Sequence, residues 1–219
     1  MPKPFISQST QDANQYAGGG TGIGDSEEYW MSGLAWRITE LLASWGMTPR
    51  LGSTVSVGDN VARSNAWGAD SHWEIHSNAG GGHGTEVWYY KSPTGVESTK
   101  GKKMAQAVYP LIAAASNQPD RGIKASSSYY ALRATKAPAV IIEVAFHDNV
   151  TEAEEIRTSL DEYALAIAKG IAAYYGVSVP APAPTPVPQP TPAPETPDPQ
   201  RVWRITEQSA DRIVMVKSF

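Results

Sequence analysis

Apolar residues recur along this chain with two periods, and the period switches from one stretch to the next. Between Ser26 and Trp45 the residues Met31, Leu34, Ile38, Leu41 and Trp45 fall on one stripe of a 3.6-residue repeat, with Gly46 as the stop signal. That spacing predicts an amphipathic helix. Lys3–Ser7, Ser71–Ser77, Thr85–Tyr90, Tyr129–Arg133 and Ala139–Phe146 read as strands. The last of these sits in APAVIIEVAF, an almost unbroken apolar run of the kind a strand covered on both faces requires. Gly101–Ala115 reads as a helix that Pro110 should break or kink. Thr151–Tyr175 reads as one long helix, opened by a Thr151–Glu154 capping box and striped by Ile156, Leu160, Tyr163, Ile167, Ile171 and Tyr174. Strands alternating with helices predict an α/β three-layer sandwich, with a twisted, mostly parallel central sheet and helices on both faces.

Composition divides the chain. From Ser178 to Gln200 it reads SVPAPAPTPVPQPTPAPETPDPQ, which holds ten of its 17 prolines. Such a stretch forms neither ladder nor helix and is expected to be an extended spacer. The expected organisation is therefore a domain over 1–177, a proline-rich linker over 178–200 and a short tail over 201–219. In the tail, Val202–Glu207 and Arg212–Val216 read as two β-runs around a turn. The tail is a β-hairpin on this reading, or the start of a truncated module.

Charge and cysteine content narrow the chemistry. The formal net charge is −4 and there is no basic tract, so nucleic acid is not an expected partner. No apolar run approaches membrane-spanning length, and MPKPFISQSTQD has no stretch suited to a signal peptide. There are 0 cysteines, so any metal would rest on His, carboxylate or amide oxygen.

Three segments carry candidate chemistry. In EIHSNAGGGHGTEVWYY, His76 closes a strand and a glycine-rich loop follows. Strand ends are where α/β sheets place their reactive groups, although a histidine there can also be structural. In APAVIIEVAFHDN, Glu143 lies between Ile142 and Val144. A carboxylate there is either half of a buried ion pair, with Arg133 for instance, or a catalytic acid of raised pKa. In DSEEYWMSGLAW, Glu27 and Glu28 occupy the first turn of a helix, where acids also serve as capping residues.

Taken together, four ordered blocks resemble the zinc-dependent N-acetylmuramoyl-L-alanine amidase family of bacterial autolysins and phage endolysins. ADSHWEIHSN at 69–78 resembles the family's "AD…SIHAN" strand, and GTEVWYY at 84–90 the strand that follows it. DRGIKASSSYYALR at 120–133 resembles "RGIK…LR", and PAVIIEVAFHDN at 138–149 resembles "PA-VLVE-x-GF-x-SN". The resemblance implies one zinc ion and assigns His76 as a ligand and Glu143 as the catalytic glutamate. It places the helix ligand on Glu27 or Glu28, with Glu28 the choice because Ser32 follows it by four residues, where the family has Asn. The family's first ligand, the histidine of "DPGHGG", falls in SQSTQD at 7–12, where no histidine stands. Gln11, whose carbonyl has the reach, is the expected substitute. The other histidines, His72, His83 and His147, are expected to be structural or substrate-facing. His72 lies roughly 13 Å from His76 along the strand, too far to share a metal.

The implied activity is hydrolysis of the amide between N-acetylmuramic acid and L-alanine in bacterial peptidoglycan. The tetrahedral oxyanion would be met by the ion, with backbone N–H groups of the Asn78–Gly82 loop as helpers. Trp88, Tyr89, Tyr90, Tyr129 and Tyr130 are candidates to line the groove. The expected setting is that of a phage endolysin held in the host cytoplasm until release to the wall. The alternatives are a non-catalytic wall-binding or regulatory relative, and a zinc peptidase acting on the peptide stem. The sequence assigns no oligomeric state.

Overall fold

A computed structural model describes residues 1–19, 24–180, 204–209 and 212–216. The chain divides into two compact units, Met1–Pro180 and Ala181–Phe219. In the first, the elements run β1 (Pro4–Gln8), α1 (Glu27–Ser44), β2 (Arg50–Leu51), α2 (Val57–Trp67), β3 (Ser71–Asn78), β4 (Thr85–Tyr90), α3 (Thr99–Ala115), β5 (Asp120–Ser126), α4 (Tyr130–Ala134), β6 (Ala139–Phe146), α5 (Val150–Thr158) and α6 (Leu160–Tyr175). The described part of the second unit is an antiparallel pair, β7 (Arg204–Ser209) and β8 (Arg212–Val216). Most of the proline-rich stretch, from residue 181 on, lies outside the described residues.

The six strands form one sheet in the order β2-β1-β3-β6-β4-β5, parallel except where β4 runs antiparallel to β6. Side chains alternate between the two faces. Ile6, Trp73, Ile75, Val87, Tyr89, Ile142 and Val144 point to one face and form the main core with α1, α3 and α6. Ala139, Ile141, Trp88 and Tyr90 point to the other face, where Leu132 of α4 covers them. Helices thus lie on both sides of a mostly parallel sheet, in the expected three-layer α/β arrangement. α3 and α6 pack so closely that a Cβ on Gly170 would stand 2.6 Å from the Val108 Cα.

Several expectations are corrected. Tyr129–Arg133 is not a strand; α4 occupies 130–134, and the edge strand is the preceding Asp120–Ser126. The apolar pair Ala131–Leu132 in that segment has no period of its own. The 151–175 helix is two helices meeting at Ser159, and the first is capped by the Asn149 side chain, which accepts from the Thr151 and Glu152 N–H groups. The Glu152 carboxylate that a cap pattern would leave outside is buried. α3 passes through Pro110 without ending. Pro110 is exposed, while Met104, Ala105, Val108, Tyr109 and Ile112 anchor the buried side. In α1 the buried stripe takes Leu42 rather than Leu41.

Candidate active site

The alternation that buries Ile142 and Val144 turns Glu143 to the opposite face, the one that Ala139 and Ile141 share. His76 on β3 stands directly across from Glu143, and Glu86 on β4 stands across from it on the other side. One row across three strands therefore reads His76, Glu143, Glu86. At the β3 end of this row α1 begins. Its N-cap is Ser26, whose hydroxyl accepts from the Tyr29 N–H and donates to Asp12. The cap fixes the first turn so that Glu27 points into the sheet edge.

Glu27 is 1% exposed, and its Oε1 lies 2.7 Å from His76 Nδ1. It also accepts from the Ser77 N–H at 3.3 Å and from Asn14 Nδ2 at 2.7 Å. The expectation of Glu28 as the helix carboxylate beside His76 is thus corrected to Glu27. Consecutive helical residues point about 100° apart, so only one of the two can face the strand end. Glu28 lines a separate groove with Asp12, Tyr29, Trp30 and Arg37. Burial and the Asp12 charge raise its pKa.

Gln11 reaches the same place from the loop after β1. Its Nε2 is 3.4 Å from His76 Nδ1, and its Oε1 accepts from Asn14 Nδ2 at 3.0 Å. Asn14 therefore ties Gln11 to Glu27 and turns the Gln11 amide so that nitrogen, not oxygen, faces His76. The expected Gln11 oxygen donor is at the site but directed away from it.

Behind His76 stands Glu74, which the sequence reading did not single out. Its Oε1 is 3.5 Å from His76 Nε2, and its Oε2 is bonded to His72 Nε2 at 2.6 Å. The signal for it was present: His72, Glu74 and His76 share one face by the two-residue period. Burial opposes the Glu74 charge, but the two histidines outweigh it and hold its pKa at about 2. Burial likewise opposes charge on His76, and Glu27 and Glu74 outweigh it, so its pKa stands well above the ordinary value. Glu27 is shifted down, since bonds to His76 and Asn14 exceed the cost of burial. Glu143 goes the other way. Burial, with the Glu27, Glu86 and Glu74 charges against a lesser pull from His76, pushes it up to about 7. Its Oε2 is enclosed with no hydrogen-bond partner, and Arg133 instead donates to the Ser128 carbonyl.

The other histidines lie outside the row of His76, Glu143 and Glu86. His72 stacks on Phe5 at 5.3 Å. His83 is 3.3 Å from Glu152 and largely exposed. His147 is buried against Tyr16, its Nδ1 at 3.0 Å from Ser77 Oγ and 4.0 Å from Glu27 Oε2. The glycine loop is not a source of free N–H groups over 79–81. Ala79 donates to Asn78 Oδ1, and Gly80 and Gly81 donate to Asp148 at 2.7 and 2.8 Å. The expected oxyanion helpers there are already occupied. Of the expected groove aromatics, Tyr89 belongs to the main core, while Trp88 and Tyr129 meet edge to face at 5.3 Å beside Glu86.

Among the described residues no three His, Cys, Asp or Glu side chains form a metal-holding group. The donor set still fits one ion in part. The His76 nitrogen and Glu27 oxygen converge, a carboxylate backs the second ring nitrogen as metal-bound histidines commonly require, and the Glu143 oxygen beside them lacks a partner. The third corner has only the Gln11 amide, a weaker ligand than imidazole.

Residues 12–173 match the family model described as N-acetylmuramoyl-L-alanine amidase. The amidase CwlM of Bacillus licheniformis is 33% identical over 127 residues, 57% of this chain and 48% of that protein. The amidase LytC of Bacillus subtilis is 28% identical over 151 residues, 65% of this chain and 30% of that protein. The chain thus spans about half or less of the length of these relatives. Among solved structures, the catalytic domain of CwlV from Bacillus (Paenibacillus) polymyxa superposes with a TM-score of 0.67 at 22% identity, covering 81% of this chain and 100% of that one. An amidase of Clostridium difficile 630 gives 0.66 at 24%, covering 80% and 97%. These likenesses carry the fold.

Proposed function

Since the chain belongs to the N-acetylmuramoyl-L-alanine amidase family, we propose that it hydrolyses the amide joining N-acetylmuramic acid to L-alanine in bacterial peptidoglycan, with zinc as cofactor. The observation that carries this reading is Glu143, directly across from His76 and pushed up to about 7. An acid–base group works best when its pKa lies near the working pH.

His76 and Glu27 would hold the zinc ion, with Gln11 at the third corner after its amide turns over. The chemistry such an ion supplies is Lewis acidity, which acidifies water and polarises a carbonyl. This chain's own groups do the rest. Glu74, 3.5 Å from His76 Nε2, would keep a proton on that nitrogen once Nδ1 gives up its own to the ion. Asn14 holds Glu27 in line with the strand end. Glu143 takes a proton from the attacking water through its unpartnered oxygen and returns it to the leaving L-alanine nitrogen. In the metal-free chain burial raises its pKa to about 7, which favours taking up that proton. The compact unit followed by a proline-rich stretch is the basis for the narrower reading as a phage lysis enzyme that reaches the wall from inside its host.

The test is to digest purified walls with chelator-treated protein, then restore zinc. The expected result is release of free amino groups on L-alanine only when zinc is present, and no new reducing sugar ends. Equal release with and without chelator would refute the zinc reading, and new termini elsewhere in the stem would favour a peptidase. One observation favours a second reading, a wall-binding relative that has lost its metal: the Gln11 nitrogen facing His76. Wall binding without zinc uptake or hydrolysis would establish it.

A further inference from the structure

Glu86 is 3% exposed and accepts four hydrogen bonds. Asn78 Nδ2 and Trp88 Nε1 each donate to its Oε1 at 2.9 Å. Arg121 Nε and Lys124 Nζ both donate to its Oε2, at 2.6 and 2.5 Å. Both oxygens are then saturated, and burial is outweighed by the two cations, which hold its pKa below the ordinary value. The two cations are drawn to one oxygen, close enough to repel each other, and the cluster keeps one positive charge in excess.

The cations are not enclosed. Their side chains are 33% and 31% exposed, and the Lys124 ammonium lies over the Trp88 ring at 5.3 Å. Among the described residues Arg121 uses Nε toward Glu86 and Nη1 toward the His83 carbonyl. Its Nη2 donates to no protein group among the described residues, and the Lys124 ammonium has further donors to offer. The cluster is also in line with the chemistry. Glu86 pairs directly across from Glu143, so the two cations flank the next position along the row, about 5 Å from the proton-carrying group at ordinary strand spacing.

We propose that Arg121 and Lys124 form a subsite for a carboxylate of the stem peptide, namely the free α-carboxylate of its second residue, a glutamate joined onward through its side chain. This rests on the amidase reading and specifies its substrate. With the scissile amide beside Glu143, an extended chain advances about 3.3–3.6 Å per residue. Running toward β4 and β5, the second residue would bring its carboxylate roughly 7 Å away. A bridging carboxylate would relieve the repulsion between the cations and take the donors Glu86 leaves unused. An amidated second residue presents a neutral group, whose NH2 would face two cations.

The experiment compares two synthetic muramyl tripeptides that differ only in this group, free in one and amidated in the other. The zinc-loaded full chain is expected to cleave the free acid with kcat/KM greater by on the order of tenfold or more, expressed mainly in KM. Arg121→Gln and Lys124→Gln keep a donor for Glu86 while removing charge, and a thermal melt of each variant checks that the fold is retained. Each should shrink the preference and the double variant should abolish it. Lys124→Arg should keep it. Equal cleavage of the two compounds by the parent, or an undiminished preference in a folded double variant, would overturn the subsite. Failure to release amino ends from whole walls as well would mark failure of the amidase reading itself.

Discussion

Replacing Glu143 with Gln separates catalysis from stability within one side chain. The substitution keeps shape and volume and removes the proton-transfer function. Loss of a general acid–base group costs roughly a hundredfold to ten-thousandfold in rate. The stability effect has the opposite sign. The Glu143 pKa stands at about 7 in the folded chain against an ordinary 4.5. A raised carboxyl pKa means that the folded state holds the proton more tightly than the unfolded one. Its stabilising contribution is complete below about pH 4.5 and is lost as pH rises through about 7. Above that, the parent carries an ionised, poorly solvated carboxylate that Gln lacks. The shift corresponds to at most about 3–4 kcal/mol, and partial exposure to water lowers this to about 1–3 kcal/mol. Metal-free protein should be unfolded in urea at about pH 5 and pH 8, because a bound cation would itself depress the carboxyl pKa. Relative to the parent, Glu143→Gln is expected to gain stability between the two conditions while losing wall hydrolysis in the zinc-loaded form. A variant equally destabilised at both pH values and unchanged in specific activity would show that Glu143 is a structural ion-pair member, and would refute the assignment.

The remaining predictions concern the metal corner and the helix packing. Glu27→Gln should weaken zinc affinity by about a hundredfold or more in a competition titration with a chromophoric chelator, whereas Glu28→Gln should leave it within about threefold; equal losses would undo the choice between them. Gln11→His supplies the stronger imidazole ligand and should tighten zinc binding by about tenfold or more; unchanged affinity would place the third ligand elsewhere. Zinc uptake should strengthen as pH rises, since the ion must displace the proton that Glu27 and Glu74 hold on His76; isothermal titration should record proton release near neutral pH. Gly170→Ala should destabilise the catalytic unit by about 1–3 kcal/mol, because its methyl would meet Val108 backbone at 2.6 Å; an unaltered melting temperature would mean that α3 and α6 can separate without cost.

Local pattern determined a good part of this protein. Period-two and period-3.6 spacing identified α1, β3, β4, β6 and the end of α6, because each buries a face large enough to show as a stripe. Ordered blocks of residues around His76 and Glu143 pointed to the family. The apolar run APAVIIEVAF marked a strand covered on both faces, with Glu143 standing out inside it. Short or irregular elements were not legible. β2 has two residues, α4 has five, and the break at Ser159 lies inside a continuous apolar stripe; none leaves a repeat long enough to read.

Tertiary structure alone decided the site's partners. Glu27 and Glu28 are equivalent as sequence, two acids in a first turn. Only the Ser26 cap and the angle of α1 against β3 turn one toward His76 and the other to a separate groove. The Gln11 amide is oriented by Asn14, three residues on, through a bond that needs Glu27 to complete it. Glu74 and Glu86 acquire meaning from their neighbours, the first from two histidines on its own strand face, the second from cations on β5. The register of β4 against β6 sets Glu86 beside Glu143, and a one-residue slip would turn Glu86 to the other face. Sequence spacing fixes which face of its own element a residue occupies. Which charges meet across strands depends on register and helix angle, which the whole packed core determines.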